Sequence, residues 1–388
     1  MKKIFLLLIS VLIIILLLVI YELNSNKLKS EFVEIGTNDT RLIEIKSFAL
    51  ERKPKNIILI VGDGVGLNQI AISRIAIGGP DYKLAIDQMP YTGFSLTHSA
   101  NNLYTDSAAA ATTWATGVKT SNKFLSMTPD KEIVKTIPEL LSDRGFLSGV
   151  VATSSVTHAT PAAFYAHVDS RYKEEEIAQQ LVDSPIAISL GGGLEFFDLD
   201  DLKNKTTFVN DKKDLFNKKL ISSKRIIGLF DDDGIVRSDQ KPTQQEMTKM
   251  AINFLSSNTK ACSGFFLMSE GSQIDWYGHS NDVTKMIIEF EDFDETIRDT
   301  MNFVSEDEDT LLIVTADHET GGLQIMGNEN NQTKIQWGTG SHTGTPVGVY
   351  AYGPGANLFS GLMDNTEIHN KILEVINFKE LDSSSCSN

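Results

Sequence analysis

The stretch NIILIVGDG, residues 56–64, decides how the rest of the chain is read. Ile57, Ile58, Leu59, Ile60 and Val61 follow one another with no polar alternation. Such a run fits a strand buried on both faces, and Gly-Asp-Gly then places Asp63 in a loop at its C-terminal end. The format recurs in FLSGVVATSS (146–155), FFLMSEG (265–271) and TLLIVTADHE (310–319). Helix-like segments lie between these runs, at 135–144, 173–182, 243–256 and 284–305. Strands alternating with helices predict an α/β fold: a doubly wound, mostly parallel central sheet flanked by helices. GVYAYGPGA (348–356) reads as a late strand and turn. Residues 200–241 are charged and read as a surface excursion. No internal repeat is found.

In open α/β sheets, ligands sit beyond the carboxyl ends of the strands. The polar residues there are Asp63, Glu270, Asp317 and His318. Any one of them alone is an ordinary turn residue. Four on parallel strands converge on one edge of the sheet. In SEGSQIDWYGHSND, a helix would put Asp275 and His279 at i, i+4 on one face, as metal ligands or as a plain surface pair. His342 stands in GTGSHTGTP, a loop of small residues. His98, His167 and His369 lack such carboxylate companions in sequence and read as ordinary histidines. Carboxylate with imidazole suits Zn²⁺, and carboxylate with hydroxyl suits Mg²⁺. Seven ligands exceed what one zinc uses, so more than one metal is implied.

The stretch LYTDSAAAATTWATG (103–117) opens a helix, because alanine has the best helix propensity. Ser107 stands at its mouth. Helix capping is the plainer reading of Asp106-Ser107, and the stretch alone favours it. A helix N-terminus also presents unpaired N–H groups and partial positive charge to an anion.

Composition bounds the rest. The 388 residues are 41% hydrophobic and 22% charged, ordinary for a globular protein, and the net charge is −16. So acidic a chain has no electrostatic footprint for nucleic acid. An anionic substrate would need local positive charge, which bound cations supply. Cys262 and Cys386 are the two cysteines, and the second lies in the polar tail SSSCSN, so they are not expected to pair. Near the N-terminus, Ile4 to Ile20 is apolar apart from Ser10 and follows Lys2 and Lys3. As a helix it would span about 25 Å, slightly short of a bilayer core. An uncleaved signal anchor is the first reading and a cleaved signal peptide the second; both export the remainder to the periplasm or cell surface. The expected organisation is a membrane anchor or signal at 1–23, an N-terminal arm at 24–50, a catalytic domain at 51–380 and a polar tail at 381–388.

Taken in order, GDGVG, TDSAAAATTWATGVKT, HATPAAFYAHVDSR, EGSQIDWYGH, TADHETGG and SHTG resemble the metal-dependent alkaline phosphatases, over about Asn56 to Gly355. Carried over position by position, the resemblance implies that Ser107 becomes phosphorylated. It implies one zinc held by Asp275, His279 and His342, and a second held by Asp63, Asp317 and His318. It implies one magnesium held by Asp63, Thr160 and Glu270, with Arg171 clamping the phosphate. His158 and Trp276 stand where some bacterial members carry Asp and Lys, behind the direct ligands, and are expected to tune magnesium and phosphate binding. The resemblance implies two-step hydrolysis of phosphate monoesters by a homodimer.

Alternatives are a phosphodiesterase or sulfatase of the same fold, or a non-catalytic phosphate- or metal-binding surface protein. Sulfatases need Cys or Ser in a C/S-x-P-x-R context, and Ser107 lies in S-A-A-A-A. No expected ligand is missing, which argues against the non-catalytic reading. After Gly322 the chain reaches His342 quickly, leaving little room for the extra crown domain of animal relatives.

Overall fold

The computed structural model describes residues 29–383 and Cys386. The anchor or signal expected at 1–23 lies outside the described residues. Among the described residues, no helix is long and apolar enough to cross a membrane.

Strands are numbered β1 to β15 in chain order. The central sheet has ten, in the spatial order β15 (Gly361–Asp364), β3 (Tyr91–Leu96), β14 (Val347–Tyr352), β9 (Thr310–Thr315), β2 (Asn56–Gly62), β8 (Gly264–Gly271), β4 (Phe146–Ser155), β5 (Ile186–Gly192), β7 (Ile226–Leu229) and β6 (Thr207–Val209). All pairings are parallel except those of β14, which runs antiparallel to β3 and β9. A doubly wound, mostly parallel sheet is therefore what forms.

The apolar run that opened the reading explains why β2 lies at the centre. Ile58 and Ile60 pack into the core on one face of the sheet, and Ile57, Leu59 and Val61 into the core on the other. Burying each such side chain contributes roughly 1.5–3 kcal/mol. Helices Gln244–Asn258 and Val283–Asp307 supply the first core, and helix Ser107–Thr116 the second. All ten residues of Ser107–Thr116 are buried, so its alanines let it sit close beneath the sheet edge. Gly117 ends it at φ 75°, where an added Cβ would also lie 2.8 Å from the His369 ring.

Three segments differ from the sequence expectation. Residues 200–241 are not only surface: β6 and β7 extend the sheet on one side. These strands, three and four residues long, are too short to stand out in a charged stretch. The N-terminal arm contains β1 (Ser30–Glu34), paired with β12 (Gln332–Gln336), which pairs in turn with β11 (Gln324–Glu329). That hairpin occupies most of the short path from Gly322 to His342.

The third correction is that Cys262 and Cys386 are joined by a disulfide, with Cα atoms 5.3 Å apart. The tail folds back because Arg144 donates to Leu381 O and lies 5.2 Å from the Phe378 ring centroid. Ser263 N–H donates to Gly145 O, so Cys262 stands beside the same turn. Long-range docking of this kind leaves no mark in the composition of SSSCSN.

Candidate active site

The C-terminal ends of β2, β8 and β9 lie side by side, so their last residues share one edge. Val61 is in register with Glu270, and Gly62 with Gly271. Asp63 follows β2 directly, and Asp317 and His318 follow β9. Asp275 and His279 lie on the short helix Gln273–His279, at the predicted i, i+4 spacing. His342 begins β13 (His342–Thr343), which pairs with β10 (Glu319–Thr320).

These side chains converge. His318 Nε2 lies 3.0 Å from Asp317 Oδ2 and 3.7 Å from Asp63 Oδ1. His342 Nε2 lies 3.6 Å from Asp275 Oδ1, and His279 Nε2 3.3 Å from Asp275 Oδ2. The groups Asp63–Asp317–His318 and Asp275–His318–His342 each bring three ligand atoms within 4.8 Å of one another. His279 adjoins the second group, its Nε2 3.0 Å from His342 Nε2.

Hydrogen bonding fixes which atoms face inward. His279 Nδ1 lies 2.8 Å from Gly340 O, and His342 Nδ1 2.8 Å from Thr105 O. Carbonyls only accept, so both Nδ1 atoms carry a proton, and in the neutral rings both Nε2 atoms present lone pairs. Thr320 Oγ1 donates to Asp275 Oδ1 and lies 3.2 Å from His318 Nδ1. Its single proton is spent on the carboxylate, so His318 Nδ1 carries a proton, and the neutral ring also turns a lone pair inward at Nε2. Imidazole lone pairs facing each other and carboxylates repel unless a proton or a metal ion lies between them; without metal, the Asp275 carboxylate raises His279 to about 9.

The carboxylates show the same deficit. Asp317 Oδ1 accepts from Gly64 N–H and His318 N–H, while Oδ2 has no donor. Asp63 Oδ1, Glu270 Oε1, Thr160 Oγ1 and His318 Nε2 are likewise buried without a partner of hydrogen-bond geometry. Burial, then Asp317, Asp275 and Glu270, push the Asp63 carboxyl well above its ordinary range. Burial pushes Glu270 up to about 7, against the Ser272 hydroxyl that donates to it. Buried acceptors with nothing to accept from suit divalent cations, so the donor set fits the zinc and magnesium that the sequence implied.

Ser107, 2% exposed, stands beside this cradle with Oγ 3.5 Å from Asp63 Oδ2. Asp106 caps its helix through Ala109 N–H and also accepts from Arg171 Nη1 at 3.4 Å. Arg171 Nη2 lies 2.8 Å from His158 Nε2. Burial, then Arg171, lower the His158 pKa to about 3, so the ring is neutral and accepts at Nε2. Two of Arg171's five N–H donors are thus used for orientation, and three remain for a ligand. Trp276 lies edge-on to His158, ring centroids 6.0 Å apart, and packs against Gly234, where a Cβ would meet the indole at 2.3 Å.

Every predicted site residue lies at or beside this edge. Asp106, Ser272, Glu319 and Thr320 were not singled out for these roles. Asp106 was legible only as a cap, and Ser272, which donates to Glu270 Oε2, had no signal beyond adjacency. The other histidines do find partners elsewhere: His167 Nε2 lies 3.1 Å from Glu139 Oε1, His98 Nε2 3.8 Å from Asp364 Oδ2, and His369 Nδ1 3.2 Å from Trp114 O. Sequence proximity could not reveal those contacts.

Comparison with known proteins adds independent findings. The family model described as alkaline phosphatase matches residues 54–333 and 326–378. Alkaline phosphatase 3 of Bacillus subtilis (strain 168) is 31% identical over 419 residues, 84% of this chain and 89% of that protein. The alkaline phosphatase of Escherichia coli (strain K12) is 31% identical over 411 residues, 82% of this chain and 86% of that protein. The structure of alkaline phosphatase from the Antarctic bacterium TAB5 matches with a TM-score of 0.79 at 37% identity, covering 84% of this chain and 99% of that one. A mutant of that enzyme, matching with a TM-score of 0.76 at 36% identity over 84% and 99% of the two chains, is described with Mg bound in its M3 site.

Proposed function

The chain belongs to the alkaline phosphatase family, and from that premise we propose that Ser107 is the nucleophile with which it hydrolyses phosphate monoesters. The enzyme is a metal-dependent phosphoric monoester hydrolase. The observation that carries the reading of the site is the set of buried acceptors without donors beside Ser107: Asp63 Oδ1, Thr160 Oγ1, Glu270 Oε1, Asp317 Oδ2 and His318 Nε2. Asp275, His279 and His342 would hold one zinc, and Asp63, Asp317 and His318 a second. Asp63, Thr160 and Glu270 would hold one magnesium.

When bound, these cations lower the pKa of the serine hydroxyl and stabilise the attacking and leaving oxygens. Asp63 Oδ2 accepts from the Ser107 hydroxyl, which turns an Oγ lone pair toward the substrate. Arg171 offers its free N–H groups to two phosphate oxygens in the fork geometry that matches them. The N-terminus of helix Ser107–Thr116 adds favourable dipole for the anion. Ser107 Oγ bonds to phosphorus in line as the ester P–O bond breaks, and the alcohol leaves with a proton. Water then attacks the phosphoserine, the Oγ–P bond breaks, Ser107 Oγ regains a proton from the water, and inorganic phosphate departs.

Residues 51–380 form the catalytic unit in this reading. The enzyme works outside the cytoplasm as a homodimer, anchored through its N-terminal segment or released after cleavage. The Cys262–Cys386 bridge supports export, since such bonds persist in oxidising compartments. The test is release of product from a phosphomonoester, a phosphodiester and a sulfate ester, side by side. The monoester should dominate, and acid-quenched enzyme should carry labelled phosphoserine. A preference for diester or sulfate, or no label at any pH, would contradict the proposal.

A further inference from the structure

Glu319 follows the metal-ligand pair directly, yet nothing in the reaction uses it. It is a carboxylate only 6% exposed, wedged so closely against Gly66 that a Cβ there would lie 2.3 Å from its Cγ. Its two oxygens accept from four donors. Oε1 takes Gln69 Nε2 at 2.8 Å and Leu323 N–H at 3.2 Å. Oε2 takes Gly322 N–H at 3.2 Å and the Thr343 hydroxyl. Gln69 lies on helix Leu67–Gly78 and also donates to Thr320 O at 2.7 Å.

Thr343 is the neighbour of His342, and it needs this tie. β10 and β13 have two residues each, Glu319 opposite Thr343 and Thr320 opposite His342. A ladder that short holds little by itself. The surrounding loop, GTGSHTGTP, has no large apolar side chain to bury. We propose that Glu319 is a positioning residue for His342: it joins helix Leu67–Gly78 to the β10–β13 pair and so sets where the His342 imidazole stands. The proposal rests on His342 being a zinc ligand, as argued above.

Only a carboxylate satisfies this arrangement. A glutamine would put its NH₂ against two of the four donors and would accept from the other two. Glu319→Gln should therefore loosen the β13 tie with almost no change in side-chain volume. Groups that orient metal ligands typically change metal affinity by about 10–100-fold when lost. Glu319→Gln should weaken zinc at the Asp275–His279–His342 site by about that factor and leave the Asp63–Asp317–His318 site near its wild-type affinity. Thr343→Val removes one of the four bonds and should cause a smaller loss in the same direction. Thr343→Ser keeps the hydroxyl and should bind as wild type.

The experiment is titration of the full-length metal-free protein with zinc against a chromogenic chelator, with melting temperatures of the metal-free and zinc-loaded forms. A positioning role predicts a smaller zinc-induced rise in melting temperature for Glu319→Gln, because stabilisation by a ligand follows its affinity. Zinc affinities equal to wild type in Glu319→Gln and Thr343→Val would overturn this proposal alone. So would a fall in melting temperature that is the same with and without zinc. If the wild-type chain itself bound no zinc tightly, the ligand assignment would fall and this proposal with it.

Discussion

Two groups of buried carboxylates in this molecule differ in how they are satisfied. On helix Val283–Asp307, Glu289 accepts Arg237 through both oxygens, at 2.8 and 2.7 Å. Asp292 accepts Arg237, Gln244 N–H and Gln245 N–H. Asp294 accepts Ala85 N–H at 2.8 Å and Ile86 N–H at 3.0 Å. Every oxygen of these three has a donor. At the ends of β2, β8 and β9, an oxygen of Asp63, Glu270 and Asp317 has none. Burial is similar, so burial is not what marks a site. A structural carboxylate comes with its donors, whereas a ligand leaves lone pairs for something that the chain does not supply.

The largest expected effect follows from the unpaired group. Ser107→Ala should abolish labelled phosphoserine and reduce turnover by at least about 10³-fold, measured by product release under saturating substrate.

The next test sets one carboxylate from each group side by side. Asp63→Asn should remove uptake of the zinc and the magnesium that share Asp63, and activity with them. Its metal-free melting temperature should stay level or rise, because burial and three neighbouring carboxylates already oppose the Asp63 charge. Asp294→Asn should do the reverse. One of the Ala85 and Ile86 N–H groups would face an NH₂, at a cost of about 1–3 kcal/mol. Melting should fall while zinc content and kcat hold. If both variants behaved alike, the distinction between the two groups would be void.

The centre of the fold was legible because buried parallel strands write continuous apolar runs: Asn56–Gly62 and Phe146–Ser155 form where their sequences predict. The candidate ligands were legible because the topology carries strand ends to one edge. What could not be read were contacts across long sequence separations. β6 and β7 are too short to show a period, and β1 finds its partner about 300 residues away. Asp106 reads as a cap, and nothing in its sequence position says that it also holds Arg171. Glu319 and Thr320 act through side chains of other elements, so their roles appear only once the strands are assembled.

The disulfide gives a purely structural contrast. It closes a sequence separation of 124, for which chain entropy predicts about 4–5 kcal/mol of stability. Cys262→Ser should lower the melting temperature by roughly 1–2 °C for each kcal/mol lost in a chain of this size, and leave zinc affinity unchanged. Reduced zinc affinity in that variant would show the periphery and the cradle to be coupled.

The smallest effect concerns His167 and Glu139, an ionisable pair away from the metals. Burial alone would lower His167, but the Glu139 carboxylate and Ser126 O raise it overall from 6.5. Stability from this shift is present below 6.5 and fades as pH rises through the raised value. Burial alone would raise Glu139, but His167 and Thr136 lower it overall from 4.5. Its contribution is present above 4.5 and fades as pH falls through the lowered value. His167→Gln should therefore lower melting more at pH ~5.5 than at pH ~9, by about 1–2 °C, since the pair is partly solvated. An equal loss at both pH values would remove the ionic explanation.

The most direct test of the central claim is the activity of metal-analysed protein after exhaustive chelation, followed by addition of zinc and magnesium. The buried acceptors beside Ser107 predict that phosphomonoester hydrolysis disappears with the metal and returns when two zinc and one magnesium ions are bound per chain. Full activity in protein shown to contain no metal would contradict it.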